Sequence, residues 1–218
     1  MIIQWLGQSC FKLQVKGEGG ADVTIVIDPY APSLGRKLPR ALSADMLLIT
    51  HDHSDHNYTE GVGGDPFTIM GPGEYETKGI FVYGIPTFHD NANGKERGGN
   101  TMYHIAAEGI TLLHAGDVGH TLTEAQLGIV EDANVFFVPV GGGGTLNAAS
   151  AVEMVSQIEP RIVIPMHYAM PGITMKLEGV DRFCKEMGVS TKEKLDKLRL
   201  TMKDLPQEET RVILFEAQ

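Results

Sequence analysis

The run Met46-Leu47-Leu48-Ile49-Thr50, followed directly by His51-Asp52-His53-Ser54-Asp55-His56, decides how this chain is read. The first part is apolar and short, as in a buried strand. The second part places three histidines and two carboxylates at that strand's end. In extended chain, side chains alternate, so residues 51, 53 and 55 share one side. A turn at Asp55-His56 then brings a fourth group round. Two imidazoles, a carboxylate and a third imidazole form a donor set for zinc, manganese or iron. A solvated polar loop is the bland alternative, but imidazole is the commonest metal-ligating side chain and this cluster is dense.

Three later stretches repeat the arrangement of His or Asp just after a strand-like run: Pro86-Thr87-Phe88-His89-Asp90, Leu113-His114-Ala115-Gly116-Asp117 and Ile164-Pro165-Met166-His167-Tyr168. A rigid scaffold builds a precise site by gathering ligands from several strand ends. Strand-like patterns also cover residues 2–5, 10–15, 23–27, 67–70, 80–83, 101–107, 111–114, 135–140, 161–167 and 211–216. Thr123-Glu124-Ala125-Gln126 reads as a capping box opening a helix to about Val130. Helices are further predicted over 148–158, stopped by Pro160, and over 178–187, ended by Gly188. Residues 190–205 are divided at about Lys197, helix before and strand after. Strands with interspersed helices indicate sheets in the middle and helices outside.

The 218 residues suit one domain spanning 1–218. With 42% hydrophobic and 21% charged residues, a sizeable core is expected and disorder is not. The net charge of −10 argues against long nucleic acid or an anionic membrane surface as main partner. The opening residues show no signal peptide and no run is long enough to span a bilayer, so a cytoplasmic location is expected. Cys10 and Cys184 are too few for a disulfide framework and read as packing residues. Homo-oligomerisation is left open.

The ordered set His51-x-His53-x-Asp55-His56, then His89, Asp117 and His167, resembles the metallo-β-lactamase superfamily across nearly the whole chain. The segments Trp5-Leu6-Gly7-Gln8-Ser9-Cys10-Phe11 and Pro139-Val140-Gly141-Gly142-Gly143-Gly144-Thr145-Leu146-Asn147 look like its small bacterial metal-dependent hydrolase branch, which includes relatives of the ascorbate-phosphate lactonase. The resemblance implies an αββα sandwich, α/β in class, with a two-metal site at one edge of the sheets. It assigns His51, His53 and His89 to one metal, Asp55, His56 and His167 to the other, and Asp117 as the bridge. Two divalent ions are implied, zinc first, with manganese or iron as alternatives. His53 in place of Glu argues against the flavodiiron branch. Asp117 in place of Cys argues against the commonest zinc β-lactamase subclass, and the nuclease branch's inserted domain has no room here.

Other groups are weighed beside plainer roles. Asp55 and Asp117 join His120 as catalytic candidates; His120 reads equally as a proton shuttle or a loop histidine. His114 and His104 read as structural. Asp90 either orients a ligand imidazole or caps its own loop. Gln8, Gly142, Gly143, Thr145 and Tyr168 are candidate substrate contacts, and the glycine run before a helix suits an anion. Arg36, Lys37 and Arg40 form a small basic stretch that reads mainly as solvated. Two positions depart from the branch: Gln8 stands where relatives often have His, and Asn147 where Asp is frequent. Neither amide is a general acid or base near pH 7. The expected function is hydrolysis of a small, anion-bearing ester, lactone or phosphoester by a metal-bridging hydroxide. The alternatives are a phosphodiesterase on nucleotides or short RNA, and a non-catalytic metal-dependent anion-binding protein.

Overall fold

Alternating and apolar runs become strands in the computed structural model, which describes residues 1–190 and 194–218. In chain order the strands are β1 (Ile2–Gly7), β2 (Cys10–Lys16), β3 (Asp22–Ile27), β4 (Met46–Ile49), β5 (Phe67–Met70), β6 (Gly73–Thr77), β7 (Ile80–Phe88), β8 (Gly99–Ala107) and β9 (Ile110–His114). Then follow α1 (Glu124–Val130), β10 (Val135–Pro139), α2 (Ala148–Ile158), β11 (Ile162–Met166) and α3 (Val180–Glu186). Short strands close the chain: β12 (Lys194–Leu195), β13 (Leu198–Arg199), β14 (Arg211–Val212) and β15 (Leu214–Phe215).

Two large sheets result, ordered β13-β1-β2-β3-β4-β5 and β14-β11-β10-β9-β8-β7-β6. In the first, β1, β2 and β3 pair antiparallel before β4 and β5 continue parallel. In the second, β6 to β9 are antiparallel neighbours, and β9, β10, β11 and β14 run parallel. The sheets face each other across a shared apolar core. Phe11 of β2 meets Phe137 of β10 with ring centroids 4.5 Å apart, and Trp5 of β1 meets Tyr168 at 5.1 Å. Helix α2 buries Ala148, Ala151, Met154, Val155 and Ile158 in this core. The outer face of the first sheet is covered differently. Leu6, Cys10, Val26, Leu47 and Ile49 pack against Tyr30, Leu34, Leu42 and Val62 from connecting segments with short 3-10 turns.

Local expectations met mixed outcomes. The capping box of α1 forms, with the Gln126 N–H donating to Thr123 Oγ1 at 3.3 Å and the Thr123 N–H to Gln126 Oε1 at 3.0 Å. Strand β6 was not anticipated, because Gly-Glu-Tyr-Glu-Thr is poor in strand-forming residues and lies at the sheet edge. The helix expected up to Lys197 is corrected at residues 194–195, where β12 pairs with β15; residues 191–193 lie outside the described set. The strand expected after Lys197 stops at Arg199, because Thr201 and Asp204 form a reciprocal cap around a 3-10 turn. The expected strand over 211–216 divides, β14 joining β11 and β15 joining β12. No helix among the described residues is long and apolar enough to cross a membrane.

Candidate metal centre

Strand direction brings the histidines together. β9, β10 and β11 are parallel, and β7 shares their direction because both β7 and β9 are antiparallel to β8. His89, Asp117 and His167 therefore emerge at one end of the second sheet, following the carboxyl ends of β7, β9 and β11. Parallel sheets gather ligand sites at that end. His51 follows β4 of the facing sheet, and the Thr101 N–H donates to the Thr50 carbonyl at 2.8 Å, tying the two sheets at this point.

The segment after β4 turns tightly, the N–H of His56 donating to the His53 carbonyl at 2.8 Å. This turn divides the cluster into two groups of ligand atoms, each within 4.8 Å of one another: His51, His53 and His89, and Asp55, His56, Asp117 and His167. Residues 51 and 53 thus part from residue 55. Asp117 Oδ2 lies 3.1 Å from His167 Nε2, 3.2 Å from His89 Nε2, 3.3 Å from His56 Nε2 and 4.0 Å from His51 Nε2. One carboxylate oxygen therefore faces histidines of both groups. Asp55 Oδ2 approaches His56 and His167 at 3.4 and 3.8 Å. His56, His89, Asp117 and His167 are buried, while His53 and Asp55 form the more open flank.

The imidazoles are aimed by partners on their other nitrogens. His56 Nδ1 is 2.8 Å from Asp28 Oδ2, His51 Nδ1 is 3.0 Å from Thr50 Oγ1, and His89 Nδ1 is 3.3 Å from the Gly144 carbonyl. Asp28 also accepts from the Thr50 N–H and hydroxyl, each at 2.8 Å. Among the described residues neither ring nitrogen of His167 has an aligned hydrogen bond; its backbone is held at φ 50° beside Gly141.

Buried unpartnered atoms test whether these residues fit a metal. His56 Nε2, His167 Nε2 and Asp117 Oδ1 are sealed from solvent with no aligned hydrogen-bond partner among the described residues, although the nitrogens stand close to Asp117. Such groups cost about 1–3 kcal/mol each when left unmade. A cation in their midst satisfies them, and an all-nitrogen-and-oxygen set suits zinc, manganese or iron. The electrostatics agree. Burial would push the Asp117 carboxyl up, but His167 and His56 outweigh it and hold it well below its usual range. Burial likewise opposes the charged form of His167, yet Asp117 raises it to about 9. Burial and the neighbouring His56 press His51 down to about 3. Protons thus compensate the buried carboxylates when no cation does, and metal uptake displaces them.

The remaining candidates are placed as follows. His120 accepts from the Phe88 N–H at 3.1 Å and its Nδ1 meets the Thr121 carbonyl at 2.7 Å. Both ring nitrogens are engaged by backbone, which corrects the proton-shuttle expectation to a loop anchor. Asp90 accepts four backbone N–H groups, from Ala92, Gly94, Glu96 and Arg97 at 2.8–3.0 Å, so it caps its own loop. His114 is buried between Phe11 and Phe137 and bonds the Ser9 carbonyl at 3.0 Å; His104 pairs with Asp132 at 2.9 Å. Tyr168 packs on Trp5 and lines a separate cleft with Arg36, Met170 and Val180. None of the metal-cluster residues is among the described residues that line that cleft. Arg36 itself bonds the Pro171 carbonyl at 3.3 Å.

Gly142 and Gly143, both at positive φ, lead the chain to Gly144, whose carbonyl meets His89, and the Thr145 hydroxyl turns back to the Gly142 carbonyl at 2.9 Å. Asn147 caps α2, accepting from the Ser150 N–H at 3.1 Å, so that helix end is already closed. Asp is an equally good cap at such a position. Gln8 is wholly buried and donates from Nε2 to Asp55 Oδ2 at 3.2 Å. Asp28 and Thr50 went unnoticed in the sequence. The available signal was an acid placed straight after the apolar run Ile25-Val26-Ile27 and before Pro29.

Residues 2–167 match the family described as the beta-lactamase superfamily domain. A UPF0173 metal-dependent hydrolase of Methanopyrus kandleri is 27% identical, over 87% of this chain and 94% of that protein. Another from Staphylothermus marinus is 30% identical, over 77% and 83%. Among solved structures, a Thermotoga maritima protein assigned as a zinc-dependent hydrolase of the metallo-β-lactamase superfamily superimposes with a TM-score of 0.77. It is 32% identical, with 98% of each chain covered.

Proposed function

This chain belongs to the beta-lactamase superfamily, and on that premise we propose that it is a two-metal hydrolase of a small ester, lactone or phosphoester. The observation that carries the reading is Asp117 Oδ2, which stands 3.1–3.3 Å from His89 Nε2 in one ligand group and from His56 and His167 Nε2 in the other. Two divalent ions held there would supply water deprotonated near neutral pH and positive charge for the oxyanion that develops during attack. The protein's part is orientation. Asp28 fixes His56, Thr50 fixes His51, and the Gly144 carbonyl fixes His89, so each presents Nε2 inward. Substrate approaches from the flank of His53 and Asp55, the less buried members of the cluster.

Two features bear on the substrate, which we take to be small and anionic, and on this reading the protein works in the cytoplasm. The net charge of −10 disfavours long nucleic acid. The exposed guanidinium of Arg97 packs over Gly144 beside His89, with no hydrogen-bond or ion-pair partner among the described residues. The phosphodiesterase reading predicts faster turnover of a nucleotide phosphodiester than of a lactone or carboxylate ester, and a substrate panel separates them.

The primary test is metal content per chain by elemental analysis, for the native protein and for Asp55→Ala and Asp117→Ala. The native protein is expected to hold about two equivalents of metal. Each variant should lose metal and fall at least about tenfold in turnover. Unchanged metal content and activity in both variants would sink the proposal.

A further inference from the structure

Gln8 combines features that cost the fold stability. Its backbone sits at φ 53°, a left-handed conformation uncommon outside glycine. Its side chain is wholly buried, and Oε1 has no partner among the described residues. A buried unpaired acceptor costs about 1–3 kcal/mol. Strain of this kind persists where the surroundings over-determine it, and it concentrates at functional sites.

Of its contacts, those to metal-cluster residues lead to one half of the cluster. Nε2 donates to Asp55 Oδ2 at 3.2 Å, with Met175 Sδ at 3.3 Å on the same nitrogen. The amide must present its NH2 group there, because the reverse placement would set two oxygens against each other. The Gln8 carbonyl accepts from the His167 N–H at 3.2 Å and from Trp5 Nε1 at 2.8 Å. Asp55 and His167 belong to the same ligand group, and among the described residues no aligned hydrogen bond holds the His167 ring, which stands 3.1 Å from Asp117. No comparable contact runs from Gln8 to His51, His53 or His89 among the described residues.

We propose that Gln8 is the positioning residue of the second metal position, setting the carboxylate of Asp55 from its side chain and the backbone of His167 from its carbonyl. This rests on the two-metal reading above. It implies that the two positions differ in affinity through one neutral residue that does not titrate, and that the amide supports the metal without moving a proton.

The test is equilibrium dialysis of metal-free protein against Zn²⁺ alone, comparing the native chain with Gln8→Met and Gln8→His. Met fills similar space and removes the donor, whereas His returns a ring N–H. In Gln8→Met the first equivalent should bind with native affinity, which also reports an intact fold. The second should weaken by at least about tenfold, the low end for loss of a group supporting a ligand. Turnover lost at limiting Zn²⁺ should return at excess Zn²⁺, and Gln8→His should recover at least part of the second-site affinity. Native binding of both equivalents by Gln8→Met, or equal weakening of both, overturns the proposal. A native protein that takes up only one equivalent defeats the two-metal reading itself, and that result is read before any variant is made.

Discussion

Gln8, Asp28 and His167 hold positive φ angles of 53°, 49° and 50°, and all three are buried at the metal cluster. The other non-glycine residues with positive φ, Lys78, Asn93, Glu108 and Glu159, lie outside it in turns and at the end of α2, whereas Gln8 occupies the turn between β1 and β2. Left-handed backbone costs on the order of 1–3 kcal/mol at such residues. At Asp28 the return is a carboxylate that accepts from Thr50 twice at 2.8 Å and meets His56 Nδ1 at 2.8 Å. Carboxylates behind metal-bound histidines fix the tautomer and raise ligand basicity. Asp28→Ala is therefore expected to lower metal affinity about 10–100-fold. Metal titration of the variant measures this, and native affinity would show that Asp28 only secures the Thr50 turn. The cysteines contribute no chemistry at this scale: burial pushes the Cys184 thiol up to about 11, with Asp181 adding to it, and raises Cys10 as well.

Among the elements, the loop between β10 and α2 depends on a close approach. A side chain at Gly141 would put its Cβ 2.2 Å from the His167 carbonyl oxygen and 2.9 Å from Tyr168 Cα. Both are backbone atoms, so neither can swing aside. Gly141→Ala should cost about 1–3 kcal/mol of stability by overpacking. Because the displaced backbone carries His167, turnover should fall as well. Denaturant melts and kinetics measure the two effects, and a variant with native stability would show that the loop yields. The sequence reveals the elements unevenly. Thr123 and Gln126 sit at capping-box spacing, a local signal, and the box forms. The glycine run showed that the loop is unusual, but not that Gly144 turns its carbonyl to His89, a contact 55 residues apart in sequence. Asp90 was ambiguous because a carboxylate beside a ligand histidine suits two roles equally. The folded loop decides for capping, since four N–H groups converge on it.

For the molecule as a whole, the cluster joins two sheets that share an apolar core and are also tied by the Thr101 N–H to Thr50 carbonyl and Tyr103 hydroxyl to Ile49 carbonyl bonds. His51, His53, Asp55 and His56 follow the first sheet's β4, and His89, Asp117 and His167 follow strands of the second. A bound cation therefore acts as a clasp between sheets, and its binding free energy adds to folding. With free metal at a hundred times Kd, that amounts to about 2.7 kcal/mol per site. At about 2–4 °C per kcal/mol for a chain of this size, chelation should lower Tm by about 5–10 °C for each site emptied. Differential scanning calorimetry with and without EDTA, followed by Zn²⁺ restoration, checks this; an unchanged Tm would mean the cations do not brace the sheets.

The sequence by itself determined the ligand chemistry and where it would stand. Period-two and apolar runs are local signals, and four of them lead to His or Asp at positions 51, 89, 114, 117 and 167. Tertiary structure alone decided the aim of each ring and the supporting parts played by Asp28, Thr50, Gln8 and Gly144. Those depend on contacts such as Gln8 with Asp55, 47 residues apart in sequence, and Asp28 with His56, 28 apart. No local pattern encodes them, because they arise from how two sheets lean together at one edge and how strand direction brings their ends to the same place.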